Sequence, residues 1–232
     1  MEVHAIGNWK DFRSTLFLGV LIAFEGIDGS GKTTQAELLS RRLVEAGIKN
    51  EILREPGGTK LGEGVRDLLL HRTDLKINPA TEFLLFSASR AQLVREKVIP
   101  LLRQDKTVIL DRYFYSSIAY QGFGRGIPIE EIEIVSRFAT QNILPDIVFL
   151  VDLNLETALQ RRMAAGRGAD RMENSEVKFF ESAIGGFSYC ANKEPSRFVI
   201  VDGKEPAGRI SNKVFDVVMC RIKKAAEERN AP

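Results

Sequence analysis

The sequence predicts an α/β fold, a five-stranded parallel sheet covered by helices on both faces. Three observations lead to this expectation. Apolar runs rich in β-branched residues alternate along the chain with segments of helical periodicity, which is the order of a parallel α/β sheet. The run "PDIVFLVDL" (145–153) is apolar almost throughout, as a strand buried on both faces should be. The stretch "GIDGSGKT" (26–33) places a glycine-rich loop between the first apolar run and the first helical segment.

The individual elements follow in order along the chain. The apolar runs predict strands over 20–24, 50–54, 107–111, 145–153 and 196–203. Helical spacing predicts helices over 35–47, 63–71, 79–104 and 208–230. Gly47 stands where a left-handed residue commonly ends a helix, and Pro79 opens the third helix with Asn78 as a candidate cap. In a sheet of this kind, ligands bind at the carboxyl ends of the strands.

Length and composition favour a single domain. The chain has 232 residues, and its formal net charge is +2, from 33 basic and 31 acidic residues. This balance argues against a dedicated nucleic-acid-binding protein, and no stretch reaches the roughly 20 apolar residues of a membrane span. We expect one domain over 19–232, preceded by an N-terminal extension over 1–18. Cys190 and Cys220 lie far apart, which favours free thiols in a reducing compartment and hence a cytoplasmic protein.

The glycine-rich stretch fits the P-loop pattern G-x-x-x-x-G-K-[ST], which binds the phosphates of a nucleoside triphosphate. Its glycines let backbone N–H groups converge on the β-phosphate at the N-terminus of a helix. Lys32 supplies a point charge for the β- and γ-phosphates, and the hydroxyl of Thr33 is a candidate ligand for Mg²⁺. The predicted nucleotide-binding residues of the loop are Gly26, Ile27, Asp28, Gly29, Ser30, Gly31, Lys32, Thr33 and Thr34.

A P-loop by itself is compatible with GTPases, ATPase motors and small-molecule kinases. A GTPase should carry the guanine-binding motif N-K-x-D, and the nearest match, "NKEP" (192–195), lacks the aspartate. A helicase or motor is usually longer and shows further ATPase elements, which are not visible here. Phosphoryl transfer to a small molecule is therefore the favoured interpretation.

Six short motifs then occur in a characteristic order. They are "GIDGSGKTT" (26–34), "REPGGT" (54–59), "LLFSASRAQ" (84–92), "DRYFYSSIAYQGFGRG" (111–126), "LPD" (144–146) and "DRME" (170–173). In this order the chain resembles bacterial-type thymidylate kinases from about residue 20 onward. The resemblance implies a P-loop nucleoside monophosphate kinase fold with a mobile lid, and phosphorylation of dTMP to dTDP by ATP in dTTP biosynthesis. It also implies ATP and Mg²⁺ as cofactors and a homodimer, without a nucleic-acid or membrane partner.

Residues at the strand ends are candidates for the phosphate and metal side of the site. Asp111 ends the third predicted strand, where its carboxylate can hold Mg²⁺ through water together with Thr33. Arg112 follows, and a guanidinium can bind a monophosphate bidentately and neutralise charge during transfer. Arg54, at the end of the second strand, is a second candidate for the acceptor phosphate, a role that the resemblance also implies. We predict Lys32, Asp111 and Arg112 as catalytic residues.

The acceptor base is expected on the third helix. Phe86 and Arg90 are four residues apart and therefore share one helix face. Without the resemblance, core packing would be the simpler role for Phe86. With it, Phe86 is expected to stack on a pyrimidine while Arg90 donates to its carbonyl oxygen. By the same resemblance, Ser117 and Gln121 are further hydrogen-bonding residues near the base.

Two residues are expected at the sugar. The resemblance implies that Asp28 accepts a hydrogen bond from the 3′-hydroxyl, although a purely turn-forming role for this aspartate stays open. Tyr120 is expected to lie against the sugar, where its ring would crowd a 2′-hydroxyl and favour deoxyribose.

The predicted lid covers about residues 160–174, within "LQRRMAAGRGADRMEN" (159–174). Glycines at 166 and 168 would let it close over ATP and exclude water. The P-loop contains no arginine, so the resemblance implies that the lid supplies the catalytic arginine. Arg167 is the catalytic candidate, and Arg162 and Arg171 are candidates for nucleotide binding. Which of them reaches the γ-phosphate stays open, as does a solvated basic loop with no such contact.

Parts of this pattern are shared with other classes of protein. Another nucleoside monophosphate kinase is the nearest, and a deoxynucleoside kinase should show an acid beside its acceptor hydroxyl as a base. The pieces "EPGGT" and "SSIAYQG" fit thymidylate kinases better. A sensor that binds ATP without turnover is disfavoured by the intact set of Lys32, Thr33, Asp111 and Arg112. A nucleic-acid-handling ATPase is disfavoured by the near-neutral net charge.

Overall fold

A computed structural model describes residues 19–164 and 177–230, and over these ranges we number the elements in chain order. The strands are β1 (Leu21–Glu25), β2 (Asn50–Arg54), β3 (Thr107–Asp111), β4 (Ile147–Asp152) and β5 (Phe198–Asp202). The helices are α1 (Lys32–Glu45), α2 (Lys60–Leu70), α3 (Pro79–Leu93), α4 (Ile99–Arg103), α5 (Phe114–Ser117), α6 (Ile129–Thr140), α7 (Leu155–Ala164), α8 (Val177–Lys193) and α9 (Ala207–Asn230). Two π-helical segments, Val94–Val98 and Ile118–Gly124, follow α3 and α5. The predicted N-terminal extension lies outside the described residues.

The five strands form one parallel sheet in the order β2-β3-β1-β4-β5, which confirms the predicted sheet. β1 is at its centre and every residue of β1 is buried, which explains the apolar run in the sequence. The register pairs Phe24 of β1 with Asp111 of β3. The carboxyl ends of these two strands therefore lie side by side, and the glycine-rich loop meets the residues that follow Asp111.

Helices cover both faces of the sheet, as predicted. Alternate residues of a strand point to opposite faces, and β1 follows this rule. Leu21 and Ala23 belong to a core that includes residues of α3, α5 and α8, whereas Ile22 and Phe24 belong to a core with α1 and α9. Phe24 stacks on Phe149 of β4, with ring centroids 5.3 Å apart. Burying one such side chain contributes about 1.5–3 kcal/mol, so the two cores fix β1 and the start of the loop that follows it.

Helix ends agree with the local signals of the sequence at Asn78 and Gly47, whereas α1 and α2 each begin three residues before the predicted start, α2 at Lys60 because Thr59 caps it. The side chain of Asn78 accepts a hydrogen bond at 2.8 Å from a backbone N–H in the first turn of α3, as expected of a cap. Gly47 takes φ 75° shortly after α1 ends, as expected of a left-handed terminator. α1 begins at Lys32 rather than at residue 35, because Gly31 takes φ 104° as the N-cap and the helical hydrogen bonds start from its carbonyl.

The predicted continuous helix over 79–104 is wrong in one part. α3 ends at Leu93, a π-helical segment covers Val94–Val98, and α4 runs on from Ile99 to Arg103. Pro100 lies in the first turn of α4 and has no N–H to offer the carbonyl four residues earlier, which favours the wider turn before it. Among the helices of the described ranges, none is long and apolar enough to cross a membrane.

Candidate active site

The loop between β1 and α1 has the conformation of a phosphate cradle. Gly26, Gly29 and Gly31 adopt φ values of 136°, 86° and 104°. A Cβ at Gly26 or Gly29 would lie only 2.6 Å or 2.5 Å from a backbone carbonyl oxygen, so neither position has room for a side chain. A loop of this kind at the start of a helix presents backbone N–H groups to an anion. The structure thus supplies the strand–loop–helix context that the sequence pattern requires.

Lys32 opens α1 and is buried. Its ammonium donates a hydrogen bond at 2.8 Å to the backbone carbonyl of Ile27, across the loop. Burial, and after it the guanidinium of Arg112, lowers the pKa of Lys32 to about 8, although nearby carboxylates oppose the shift. A desolvated cation of this kind gains free energy when a phosphate binds beside it.

Thr33 and Asp111 meet because β1 and β3 are neighbours. The hydroxyl of Thr33 donates to Oδ2 of Asp111 at 2.5 Å. Thr33 is exposed and Asp111 is half-buried, so solvent reaches this pair. Hydroxyl and carboxylate oxygens are the ligand types that Mg²⁺ prefers. The structure therefore brings together the two residues that the sequence predicts for the metal.

Arg112 has a strained backbone. Its φ of 75° is left-handed, which costs a residue other than glycine about 1–3 kcal/mol. The surroundings hold it there: its backbone N–H donates to the carbonyl of Phe24 at 3.0 Å. Its guanidinium donates to the carbonyl of Gly26 at 2.9 Å and to the carboxylate of Asp28 at 2.6 Å. Strain that is held in this way is typical of functional sites.

Asp28 and Tyr120, the two residues predicted at the sugar, converge on the same guanidinium. The hydroxyl of Tyr120 lies 3.4 Å from Oδ2 of Asp28 and 3.5 Å from Nη2 of Arg112. Burial alone would raise the pKa of Asp28, but the charges of Arg112 and Lys32 outweigh it and hold the pKa below its usual range. Asp28 is therefore an ionised hydrogen-bond acceptor at neutral pH.

Two polar residues near Arg112, Glu25 and Ser116, were not predicted as site residues from the sequence. Glu25 is fully buried and accepts hydrogen bonds from the backbone N–H of Tyr113 at 2.8 Å and from the hydroxyl of Ser116 at 2.6 Å. Ser116 also accepts a hydrogen bond from Arg112 at 3.0 Å. Burial raises the pKa of Glu25, with Arg112 opposing the shift. A charged residue at the end of an apolar strand was the one signal in the sequence that could have identified Glu25.

Arg90, predicted at the base, lies in a buried polar cluster. Its Nε donates to Oε2 of Glu55 at 2.7 Å, and the two side chains are 2% and 3% exposed. Its Nη2 donates to the hydroxyl of Ser117 at 3.1 Å. Burial raises the pKa of Glu55 to about 7, with Arg90 opposing the shift. Nη1 of Arg90 and Oε1 of Glu55 have no hydrogen-bond partner within the described ranges. Buried polar atoms without partners are rare in proteins, so these two favour a site that a ligand completes.

The other residues predicted at the base lie close by in the fold. Phe86 is half-buried on α3, one turn before Arg90, and packs against the core. Gln121 is buried, and its amide donates to Oε1 of Glu82 at 3.0 Å. Tyr120 and Gln121 both belong to the π-helical segment Ile118–Gly124, and such segments are frequent at functional sites.

Arg54 ends β2 in register with Asp111, at the same end of the sheet as the P-loop. Its guanidinium pairs with Glu63 of α2 at 2.8 Å, and both side chains are about half exposed. The other carboxylate oxygen of Glu63 accepts from the backbone N–H of Gly58 at 2.8 Å. An exposed ion pair of this kind contributes about 0–1 kcal/mol, so a phosphate could recruit Arg54 at little cost.

The described residues include only the beginning of the predicted lid. Arg162 lies on α7, and its Cγ would be 3.1 Å from a Cβ placed at Gly29, so its stem packs against the P-loop. This position agrees with the predicted contact to the nucleotide. Arg167 and Arg171 lie outside the described residues, and their predicted roles remain predictions.

Loops that follow the three neighbouring strands β1, β3 and β2 thus converge at one end of a parallel sheet. Lys32 of the glycine-rich loop is buried there, Arg112 contacts that loop, and Arg90 is buried beside the loop that follows β2. Arginine side chains beside a P-loop suit an anionic acceptor. These features define the class as P-loop nucleoside monophosphate kinases.

Comparison with known proteins narrows this class to one family. The sequence profile of the thymidylate kinase family matches residues 24–214. A thymidylate kinase of Thermoanaerobacter sp. (strain X514) is 44% identical over 200 residues, which cover 86% of this chain and 97% of that protein. One from Kosmotoga olearia is 38% identical over 205 residues, which cover 88% and 98%. The crystal structure of thymidylate kinase from Ehrlichia chaffeensis superposes with a TM-score of 0.72 at 33% identity, and covers 87% of this chain and 98% of that one. The chain belongs to the thymidylate kinase family, which confirms the predicted family and fold.

Proposed function

We propose that the protein transfers the γ-phosphoryl group of ATP to the 5′-phosphate of dTMP, giving dTDP and ADP for dTTP biosynthesis. The observation that carries this proposal is the position of Arg112. Its strained backbone and its hydrogen bond to Asp28 hold a guanidinium beside the P-loop, within reach of an acceptor phosphate. Family membership supports ATP as the donor and dTMP as the acceptor.

Alignment and charge neutralisation account for catalysis in this proposal. The P-loop holds the β-phosphate, Lys32 neutralises the β- and γ-phosphates, and Arg112 binds the acceptor phosphate and shares the charge that moves. Phosphoryl transfer passes through a loose transition state, in which such interactions dominate. No general base is needed, because the attacking oxygen belongs to a phosphate that is already anionic. Arg54 is proposed as a second contact to the acceptor phosphate.

Mg²⁺ is proposed to bind at Thr33 and Asp111. The fit rests on their oxygens, which lie 2.5 Å apart in a part of the site that solvent reaches. The described residues contain no cluster of three or more His, Cys, Asp or Glu that could hold a metal on its own. Two protein oxygens suit Mg²⁺, which usually keeps several waters and binds substrate phosphates. When bound, the ion would supply positive charge to the phosphates of the donor.

The acceptor nucleoside is proposed to lie between α3 and the π-helical segment Ile118–Gly124. Phe86 would stack on the base, and Nη1 of Arg90, which has no partner among the described residues, would donate to a base carbonyl. Ser117 supports this arrangement through Arg90. Gln121 is bound to Glu82, so it would act at the base only with a change of partner. Asp28 and Tyr120 would lie at the sugar, with Tyr120 disfavouring a 2′-hydroxyl.

The lid, about 160–174, is proposed to close over ATP and to supply the remaining positive charge. Arg162 already packs against the P-loop, which supports a nucleotide contact. Arg167 is proposed as the catalytic lid arginine and Arg171 as a nucleotide contact. We further propose a single kinase domain over 19–232 with 1–18 as an extension, acting in the cytoplasm, where both substrates occur.

A homodimer is proposed through the adjacent helices α2, α3 and α6. These helices expose large apolar side chains, and α3 packs against both of the others. The residues are Leu61 and Leu68 on α2, Leu84 on α3, and Ile134 and Phe138 on α6. Phe138 is 85% exposed, and apolar surface of this kind commonly marks an interface.

Sedimentation velocity tests the proposed dimer. It should give a dimer for the wild type and for Ile200→Glu, which changes an exposed apolar residue on β5, but a monomer for Phe138→Glu. A monomeric wild type at micromolar concentration would refute the proposal.

The activity is tested by coupled ADP release with ATP, Mg²⁺ and a panel of dTMP, dUMP, dCMP, dGMP, UMP and thymidine. We expect strong preference for dTMP, loss of turnover in Arg112→Ala and severe reduction in Lys32→Ala. Arg95→Ala, which removes an exposed arginine beside α3, is the matched control and should keep wild-type rates. Equal use of UMP would refute the roles of Tyr120 and Asp28. Binding of ATP without turnover of any acceptor would refute the enzyme and favour a sensor.

A further inference from the structure

A chain of hydrogen bonds connects a buried carboxylate to the guanidinium of Arg112. Glu25 is fully buried, and its Oε1 accepts from the backbone N–H groups of Tyr113 and Ser116 at 2.8 Å and 3.3 Å. Its Oε2 accepts from the hydroxyl of Ser116 at 2.6 Å. The same hydroxyl oxygen accepts from Nη1 of Arg112 at 3.0 Å. Ser116 thus contacts both the carboxylate and the guanidinium through its side chain.

The donor and acceptor properties of Arg112 and Glu25 determine how the hydroxyl of Ser116 is used. An ionised carboxylate only accepts hydrogen bonds, and a guanidinium only donates them. The Ser116 oxygen is therefore the acceptor for Arg112, and the hydroxyl hydrogen points to Glu25 while that carboxylate is ionised. A hydrogen bond that involves a charged group is roughly twice as strong as a neutral one, and both bonds of Ser116 are of this kind. The hydroxyl is held in one orientation and can hold the guanidinium in turn.

We propose that Ser116 is a positioning residue for phosphoryl transfer: its hydroxyl, oriented by Glu25, holds Arg112 where the acceptor phosphate binds. This inference rests on the proposed function, because it assigns the acceptor phosphate to Arg112. Ser116 does not touch the substrate in this assignment and acts only through the arginine.

Ser117, the next residue, accepts a hydrogen bond from Arg90 as Ser116 does from Arg112. Ser117 accepts from Nη2 of Arg90 at 3.1 Å, and Arg90 is paired with the buried Glu55. Two consecutive residues of α5 thus contact different arginines, one assigned to the phosphate and one to the base. A Ser→Ala change at each position removes the same atom from the same short helix, so the two variants form a matched pair with different expected effects.

The test compares dTMP with thymidine, which lacks the phosphate, by titration calorimetry without ATP. Ser116→Ala should lower the affinity for dTMP about tenfold or more and leave the affinity for thymidine within about twofold, because only the phosphate contacts Arg112. Ser117→Ala should weaken both ligands by a similar factor, because both carry the base. Ser116→Thr keeps the hydroxyl and should restore the binding of dTMP. Equal weakening of both ligands by Ser116→Ala, or no weakening of dTMP, would overturn the proposal.

A double-mutant cycle separates positioning from a general loss of structure. In an Arg112→Met background, adding Ser116→Ala should change dTMP affinity by less than about twofold, because the residue through which Ser116 acts is gone. A further large loss would overturn the proposal. Glu25→Gln provides the same test where Ser116→Ala does not fold. Its amide would donate to Ser116, the hydroxyl hydrogen would lose the acceptor that orients it, and dTMP alone should bind more weakly; unchanged dTMP binding would contradict the inference.

The proposed function and the inference fail in different ways. If the wild type neither binds nor phosphorylates dTMP, the proposed function is wrong and the inference is overturned with it. If the wild type is active and Ser116→Ala weakens thymidine as much as dTMP, only the inference is wrong.

Discussion

Replacing the P-loop lysine should stabilise the folded protein at neutral pH while it abolishes catalysis. Lys32 is buried beside Arg112, and these two causes lower its pKa from 10.5 to about 8. Below pH 8 the ammonium is charged in both the folded and the unfolded chain, but the unfolded chain holds that proton more tightly. The charge therefore lowers the free energy of unfolding throughout that range. Lys32→Met keeps a similar length of side chain without the charge.

The size of the effect follows from the difference between the two pKa values. Each pKa unit corresponds to about 1.4 kcal/mol, so the shift is worth about 3 kcal/mol. The full difference in free energy of unfolding between Lys32→Met and wild type is expected at pH 7, where Lys32 is protonated in both the folded and the unfolded chain. As pH rises from 8 towards 10.5, the folded wild type loses the proton first, and its stability recovers relative to that of the variant. Above pH 10.5 the lysine is neutral in both states and the advantage of Lys32→Met should disappear.

Urea unfolding of both proteins at pH 7, 8.5 and 10 measures this difference. Comparing two variants at each pH cancels the titration of all other groups to first order. Lys49→Met, at an exposed lysine, is the matched control for the loss of a lysine charge at the surface. The reasoning would be refuted if Lys32→Met were not more stable to unfolding than wild type at pH 7. It would also be refuted if the difference in free energy of unfolding stayed constant from pH 7 to pH 10. The expected result would also mean that the site holds a charge that opposes folding until a phosphate binds.

Three further outcomes are expected. Arg112→Gly should be about 1 kcal/mol more stable than Arg112→Ala in urea unfolding, because only glycine takes φ 75° without strain; equal stabilities would argue against strain at this residue. Asp111→Asn should raise the Mg²⁺ concentration for half-maximal activity by roughly tenfold, seen in a metal titration at saturating dTMP, and an unchanged titration would remove Asp111 from the metal site. Wild-type affinity for thymidine should fall as pH drops through about 7, because protonation of Glu55 removes the ionised partner of Arg90. Calorimetry of Glu55→Gln should give a weaker affinity with no inflection near pH 7, and an inflection that persists would assign it to another group.

Sequence and structure agree most closely where the signal is local. β2 and β3 were predicted with the bounds that the structure has, because short apolar runs between turn signals can be recognised without their partners. The caps at Asn78 and Gly47 are equally local. The predicted helix over 79–104 failed at Val94–Val98, because helical periodicity alone does not distinguish an α-helical turn from a π-helical one.

The functional residues that were predicted are likewise those with a local sequence signal. The P-loop residues could be found from the sequence, since a phosphate cradle needs its glycines, lysine and threonine at fixed spacing. Asp111 and Arg112 were found because they lie at the carboxyl end of a strand. Glu25 and Ser116 were missed because nothing within their own stretch shows that residues 91 positions apart share a hydrogen bond.

The sequence by itself determined the sheet and the phosphate-binding loop, because both depend on spacing along the chain, and it indicated the family through six motifs whose order resembles that of thymidylate kinases. Only the tertiary structure decided how the arginines are held. The hydrogen bonds from Arg112 to Asp28 and Ser116, and from Arg90 to Glu55, depend on strands and helices that packing brings together. The strained backbone of Arg112 and the lowered pKa of Lys32 are likewise products of burial and of charges that meet only in the folded chain.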